Sequence, residues 1–155
     1  MSMRPDAEAA ISRRAVLAAA GMVAIALVPV PAAATPEAAR ALLARLAPGP
    51  TKAGRIVLRL PEVADNGASV PMTIAVESPM TADDHVRAIH VVADGNPNPG
   101  VATFRLTPMA GKAEVQTRIR LAESQRVTVV AEMSDGSRWS VAREVRVTLG
   151  GCAAG

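Results

Sequence analysis

With 155 residues the chain has room for one small domain and little more. Its formal charge is +3, and because Arg4, Arg13 and Arg14 stand against Asp6 and Glu8 in the first 34 residues, +2 remains beyond them. Phe104 and Trp139 are the only aromatic residues and no Lys/Arg block occurs, which excludes the stacking platforms and basic stripes of nucleic-acid binders.

The first predicted element is an export leader over residues 1–34. Arg13-Arg14 precede an apolar, Ala-rich run from Ala15 to Val30, and Pro31-Ala32-Ala33-Ala34 follow with A-x-A cleavage spacing. A twin arginine in that place reads as a Tat signal, so the expected location is the periplasm. The run falls short of the ~20 residues a membrane span needs, so no membrane association is expected once the leader is removed. A Tat substrate crosses folded, which implies either a cofactor inserted beforehand or a partner carried along. No metal-ligand cluster or cofactor fingerprint is visible; no cofactor is expected, and a partner is.

Residues 35–48 are predicted to hold a short helix. Pro36 suits the first turn, Glu37 the positive end of the helix dipole, and Leu42, Leu43 and Leu46 share an apolar face before Pro48-Gly49-Pro50 ends the run.

From residue 51 to 149 the period is two. Ile56, Leu58 and Leu60 alternate with Val57 and Arg59. After an Asp65-Asn66-Gly67 turn, Val70, Met72, Ile74 and Val76 alternate in the same way. Pro71 cannot donate to a ladder, so that strand is expected to start at an edge or bulge. Val86 to Ala93 is apolar on both faces apart from Arg87 and His90, as a central strand would be. Strands follow over Val101 to Thr107 and Lys112 to Leu121. Gln125 to Met133 and Arg138 to Leu149 then flank the hairpin turn Ser134-Asp135-Gly136-Ser137. Arg143 shares a phase with Val141, Val145 and Val147, which calls for a bulge or a partner there. About seven short strands with regular turns predict an all-β fold, an immunoglobulin-like β-sandwich.

The chemistry is expected at residues 150–155. Cys152 is the only cysteine, flanked by Gly150, Gly151, Ala153 and Ala154. These residues are too small to bury apolar surface, which predicts a flexible C-terminal arm carrying the thiol roughly 10 Å beyond Leu149. No base or cation neighbours Cys152 in the sequence, so any activation has to come from a pocket that receives it; this is a carried group, not a catalytic residue. With no second cysteine, an intrachain disulfide is excluded. An intermolecular disulfide in a structural binding module is the competing reading. His85 and His90 are expected to be structural. Met72, Met80, Met109 and Met133 are expected to fill gaps in the core or an interface, and Trp139 to pack in the core.

The leader, the small β-domain, Val70-Pro71-Met72-Thr73-Ile74, Glu77-Ser78-Pro79-Met80, His85-Val86-Arg87-Ala88-Ile89-His90, Asn96-Pro97, Val101-Ala102-Thr103-Phe104, Ala131-Glu132-Met133-Ser134-Asp135-Gly136-Ser137 and the terminal Gly150-Gly151-Cys152 together resemble the SoxY family. These are the sulfur-carrier subunits of periplasmic thiosulfate oxidation. The resemblance implies an immunoglobulin-like domain paired with a leaderless SoxZ subunit exported with it. It also implies that Cys152 holds sulfur intermediates covalently for a c-type cytochrome complex, a metal-dependent sulfate-releasing hydrolase and a sulfane dehydrogenase, while the carrier itself performs no catalysis. SoxY chains typically end Gly-Gly-Cys-Gly-Gly. Here Ala153 and Ala154 replace the last two glycines.

Overall fold

The computed structural model describes residues 35–149; the expected leader (1–34) and the expected arm (150–155) lie outside the described residues. Thr35 caps the helix α1 (Pro36–Leu46), its hydroxyl accepting from the Ala38 amide at 3.1 Å. Pro36 occupies the first turn, where its missing N–H costs nothing, and Arg45 lies in the last turn, where the dipole favours a cation.

Eight strands follow: β1 (Ile56–Arg59), β2 (Val63–Asn66), β3 (Val70–Val76), β4 (Val86–Ala93), β5 (Gly100–Arg105), β6 (Ala113–Ile119), β7 (Gln125–Met133) and β8 (Arg138–Leu149). They form a three-stranded sheet, β1-β3-β6, and a five-stranded sheet, β2-β8-β7-β4-β5. The result is a β-sandwich of immunoglobulin-like type.

One strand more is present than the sequence predicts. The extra one is β2, which overlaps the expected Asp65-Asn66-Gly67 turn. Asn66 ends the strand and then makes the turn, its Oδ1 accepting from the Ala68 amide at 2.8 Å. A four-residue segment with one buried side chain carries no readable period; β2 exists because β8 is there to pair with it.

The smaller sheet buries one face. Val70, Met72, Ile74 and Val76 point inward along β3, with Ile56 and Leu58 beside them on β1. β1 stops at Arg59 opposite Thr73, so at Pro71 the strand β3 has a neighbour, β6, on one side only. That is the local edge a proline requires.

The larger sheet is buried on both faces along β4. Its inner face, with Ile89, Val91, Val127, Val129 and Val145, completes the core. On its outer face Ala88, His90, Val92 and Val130 are also buried, because α1 packs across β4. The approach is close: a Cβ at Gly100 would stand 3.1 Å from Leu42 Cδ2.

A bulge does occur in the molecule, at Arg87. Val86 pairs Met133 while Ala88 pairs Glu132, so Arg87 is the extra residue, and β4 changes phase there. At Arg143 the β7–β8 register runs without a break, which removes the bulge expected at that point; Arg143 is simply exposed.

Met72, Met80 and Met133 are buried in the core, whereas Met109 is 96% exposed on the 3-10 turn Pro108–Ala110. Trp139 is half-buried against the core, with Lys52 Nζ and Arg55 Cζ at 5.7 and 5.2 Å from its ring centroid.

Candidate functional site: the root of the C-terminal arm

Cys152, Gly150, Gly151, Ala153 and Ala154 lie outside the described residues. What is described is the strand that leads to them, which is held on both sides as far as Val147 and by β2 to its last residue. β7 pairs with β8 from Glu132↔Arg138 to Gln125↔Val145. Where β7 ends, Ser124 continues the contact: its Oγ accepts from the Val147 amide at 2.8 Å.

On the opposite edge β2 runs parallel to β8, with Val63 beside Arg146, Ala64 beside Val147 and Asn66 beside Leu149. The Arg146 amide donates to Glu62 O at 2.9 Å, and Thr148 Oγ1 donates to Ala64 O at 3.1 Å. Three residues short of Cys152, the chain is therefore fixed in a sheet that is part of the core. Sequence reasoning missed both clamps, β2 and Ser124, since neither belongs to a periodic pattern.

At the hairpin end of β8 the turn is locked by its own side chains. Gly136 takes φ +82°, and Ser137 N donates to Asp135 Oδ1 at 2.8 Å. The Ser137 hydrogen bonds, from side chain and backbone, hold the Asp135 carboxyl below its usual value, with Arg55 and Lys52 adding smaller attractions.

His85 and His90 sit at the start and middle of β4. The His85 Nδ1 is 3.1 Å from Thr81 O. His90 is 4% exposed, with Nε2 2.9 Å from Glu132 Oε1 and Nδ1 3.0 Å from Thr103 Oγ1. Both of its ring nitrogens are engaged, joining β4 to β7 and β5. Among the described residues no group of three or more His, Cys, Asp or Glu is placed to hold a metal ion. Nor is any described helix long and apolar enough to cross a membrane.

The family model for sulfur oxidation protein SoxY matches residues 39–152. Among solved structures, the sulfur carrier protein SoxY from Chlorobium limicola f thiosulfatophilum is 31% identical with a TM-score of 0.59, covering 71% of this chain and 96% of that one. Two proteins share the fold at much lower identity. The superoxide reductase (neelaredoxin) of Ignicoccus hospitalis is 18% identical with a TM-score of 0.54, over 61% of this chain and 80% of that one. The superoxide reductase of Nanoarchaeum equitans is 11% identical with a TM-score of 0.51, over 61% and 97%. No curated protein matches the sequence. A family match over most of the chain, and a structural relative of that same family at 31% identity, establish that the chain belongs to the SoxY family of sulfur oxidation proteins.

Proposed function

We propose that this protein is a periplasmic sulfur carrier whose Cys152 bonds covalently to sulfur intermediates and whose residues Gly150, Gly151, Ala153 and Ala154 form the arm that presents them. The observation that carries the reading is the extent of the family match, which ends on Cys152 and so includes the sole cysteine. The clamped root of β8 supports it mechanically. A rigid body up to Leu149, followed by small residues, gives a short tether of known origin. A tether keeps reactive sulfur at high effective concentration for each enzyme in turn.

In this reading the thiolate of Cys152 joins the outer sulfur of thiosulfate, giving Cys–S–S–SO3⁻. The two electrons released go to the haems of a c-type cytochrome complex. A metal-dependent hydrolase then adds water across the terminal S–S bond, releasing sulfate and two protons and leaving Cys–S–S⁻. A sulfane dehydrogenase oxidises the sulfur that remains. The carrier lowers no barrier itself. Residues 1–34 act as the Tat leader, residues 35–149 form the folded body, and a SoxZ subunit pairs with it and travels through the export machinery alongside. Ala153 and Ala154, in place of glycines, narrow the φ/ψ range of the arm and add two methyl groups, which bears on the enzymes it fits.

The test is the intact mass of the protein purified without reductant from cells given thiosulfate, before and after reduction. Reducible adducts in sulfur or sulfonate increments on the wild type, absent from Cys152→Ser, are expected. A bare thiol or only a disulfide-linked dimer in cells oxidising thiosulfate would sink the carrier reading and leave a crosslinked binding module.

A further inference from the structure

A second site lies at the other end of the molecule. Between the C-terminus of α1 and the outer face of the larger sheet is a half-open cleft of about 570 Å³, lined by Arg45, His85, Arg87, His90, Arg105 and Glu132 among others. Its three guanidinium groups come from three separate elements. Arg45 is placed by the last turn of α1, Arg87 by the bulge that turns it out of the β4 ladder, and Arg105 by the end of β5.

None of these three makes a salt bridge among the described residues. The one carboxylate in the lining, Glu132, is already bonded to His90 Nε2. Like charges facing one cleft repel, and these three exposed arginines have no carboxylate salt-bridged to them among the described residues, so a bound anion would offset that repulsion. With Glu132 counted, the lining carries two net positive charges. Planar guanidinium forks suit the oxygen face of a tetrahedral oxyanion.

We propose that this cleft is a binding site for a tetrahedral oxyanion, held by Arg45, Arg87 and Arg105 over the His90–Glu132 pair. The ligand is not a group carried on this chain's Cys152. The cleft is at the Glu132↔Arg138 end of the β7–β8 ladder and the arm leaves from Leu149, roughly 36 Å away along the strand. Cys152 stands three residues beyond Leu149, a reach of at most about 10 Å. The site is thus independent of sulfur carriage by Cys152 and can hold an anion while the arm is engaged elsewhere.

The experiment is titration of the isotopically labelled protein with sodium sulfate at constant ionic strength, read by amide chemical shifts. Saturable shifts confined to residues 45–46, 85–90, 103–106 and 132 are expected. They should weaken at least tenfold in the double variant Arg87→Gln/Arg105→Gln and stay unchanged in Arg126→Gln, whose guanidinium pairs with Glu144 outside the cleft. Should the double variant fold poorly, Arg45→Gln gives the same reading from an exposed helix position. Methanesulfonate separates the sources: binding of sulfate alone marks a free dianion, and comparable binding of both marks an oxyanion head carried on a larger molecule. Shifts that grow linearly with salt, appear equally with chloride, or survive the arginine substitutions overturn the proposal.

Discussion

The two sheets solve the same problem differently. The three-stranded sheet has one dry face and one wet face, and β3 and β6 alternate accordingly. In the five-stranded sheet β4 is buried at every position but Arg87, because α1 covers the side that would otherwise meet water. The contrast teaches where this molecule keeps its special chemistry. Only the covered sheet contains a buried histidine and a carboxylate near a basic cleft, and only that sheet holds the strand leading to Cys152. A sheet face shielded by a helix can support a polar network that a solvated face would dissolve.

The contrast can be broken most strongly at the core they share. Ile89→Ala, on a fully buried position of β4, should cost about 2–5 kcal/mol in urea unfolding. The outer faces then separate the sheets. Val92→Ala, beneath the helix, should cost roughly 2 kcal/mol, at ~0.8 kcal/mol per buried methylene plus a cavity term. Val57→Ala, at 48% exposure on the outer face of the smaller sheet, should change stability by less than about 0.5 kcal/mol. Equal costs at the two positions would mean that α1 does not protect the larger sheet in solution.

Those elements also show what the sequence discloses. Where one face is wet, burial imposes a period of two, so β3 and β6 are legible from Val70 to Val76 and from Ala113 to Ile119. Where both faces are dry the period vanishes: Val86 to Ala93 reads as central, but nothing in it names α1 as the cover or exposes the bulge at Arg87. β2 is illegible for another reason. Its strand character comes from Arg146, Val147 and Leu149, residues far along the chain, and not from Val63-Ala64-Asp65-Asn66 itself. Cys152, the proposed carrier cysteine, stands out by being alone and flanked by small residues. The arginine cleft does not, since Arg45, Arg87 and Arg105 are scattered in sequence and meet only when the helix crosses the sheet.

Substitutions at single polar contacts sharpen the comparison further. His90→Leu leaves Thr103 and Glu132 without their shared partner and should cost about 1–3 kcal/mol, measurable by thermal unfolding. Thr35→Ala removes the helix cap, at about 1 kcal/mol. It should speed amide exchange in α1 while leaving β3 and β6 unchanged. The smallest effect belongs to Asp135. Its carboxyl is held below the ordinary value of 3.8, so its contribution is complete above that pH and fades as the pH falls through the lowered value. Urea unfolding at pH 7 and pH 3 should show a slightly smaller acid loss for Asp135→Asn than for the wild type.

The position of β8 has a consequence for biosynthesis. It is the last of the described strands to be made, yet it lies inside the sheet, between β2 and β7, and supplies Val145 to the core. A ribosome that stops before Arg138 releases a chain in which β2 has no neighbour and β7 has one open edge. Such a fragment cannot close the sandwich and is left to proteases. Completion of the fold thus waits on translation reaching the strand that ends three residues before Cys152, so folded copies broken off before that strand should not accumulate to compete for the partners proposed above.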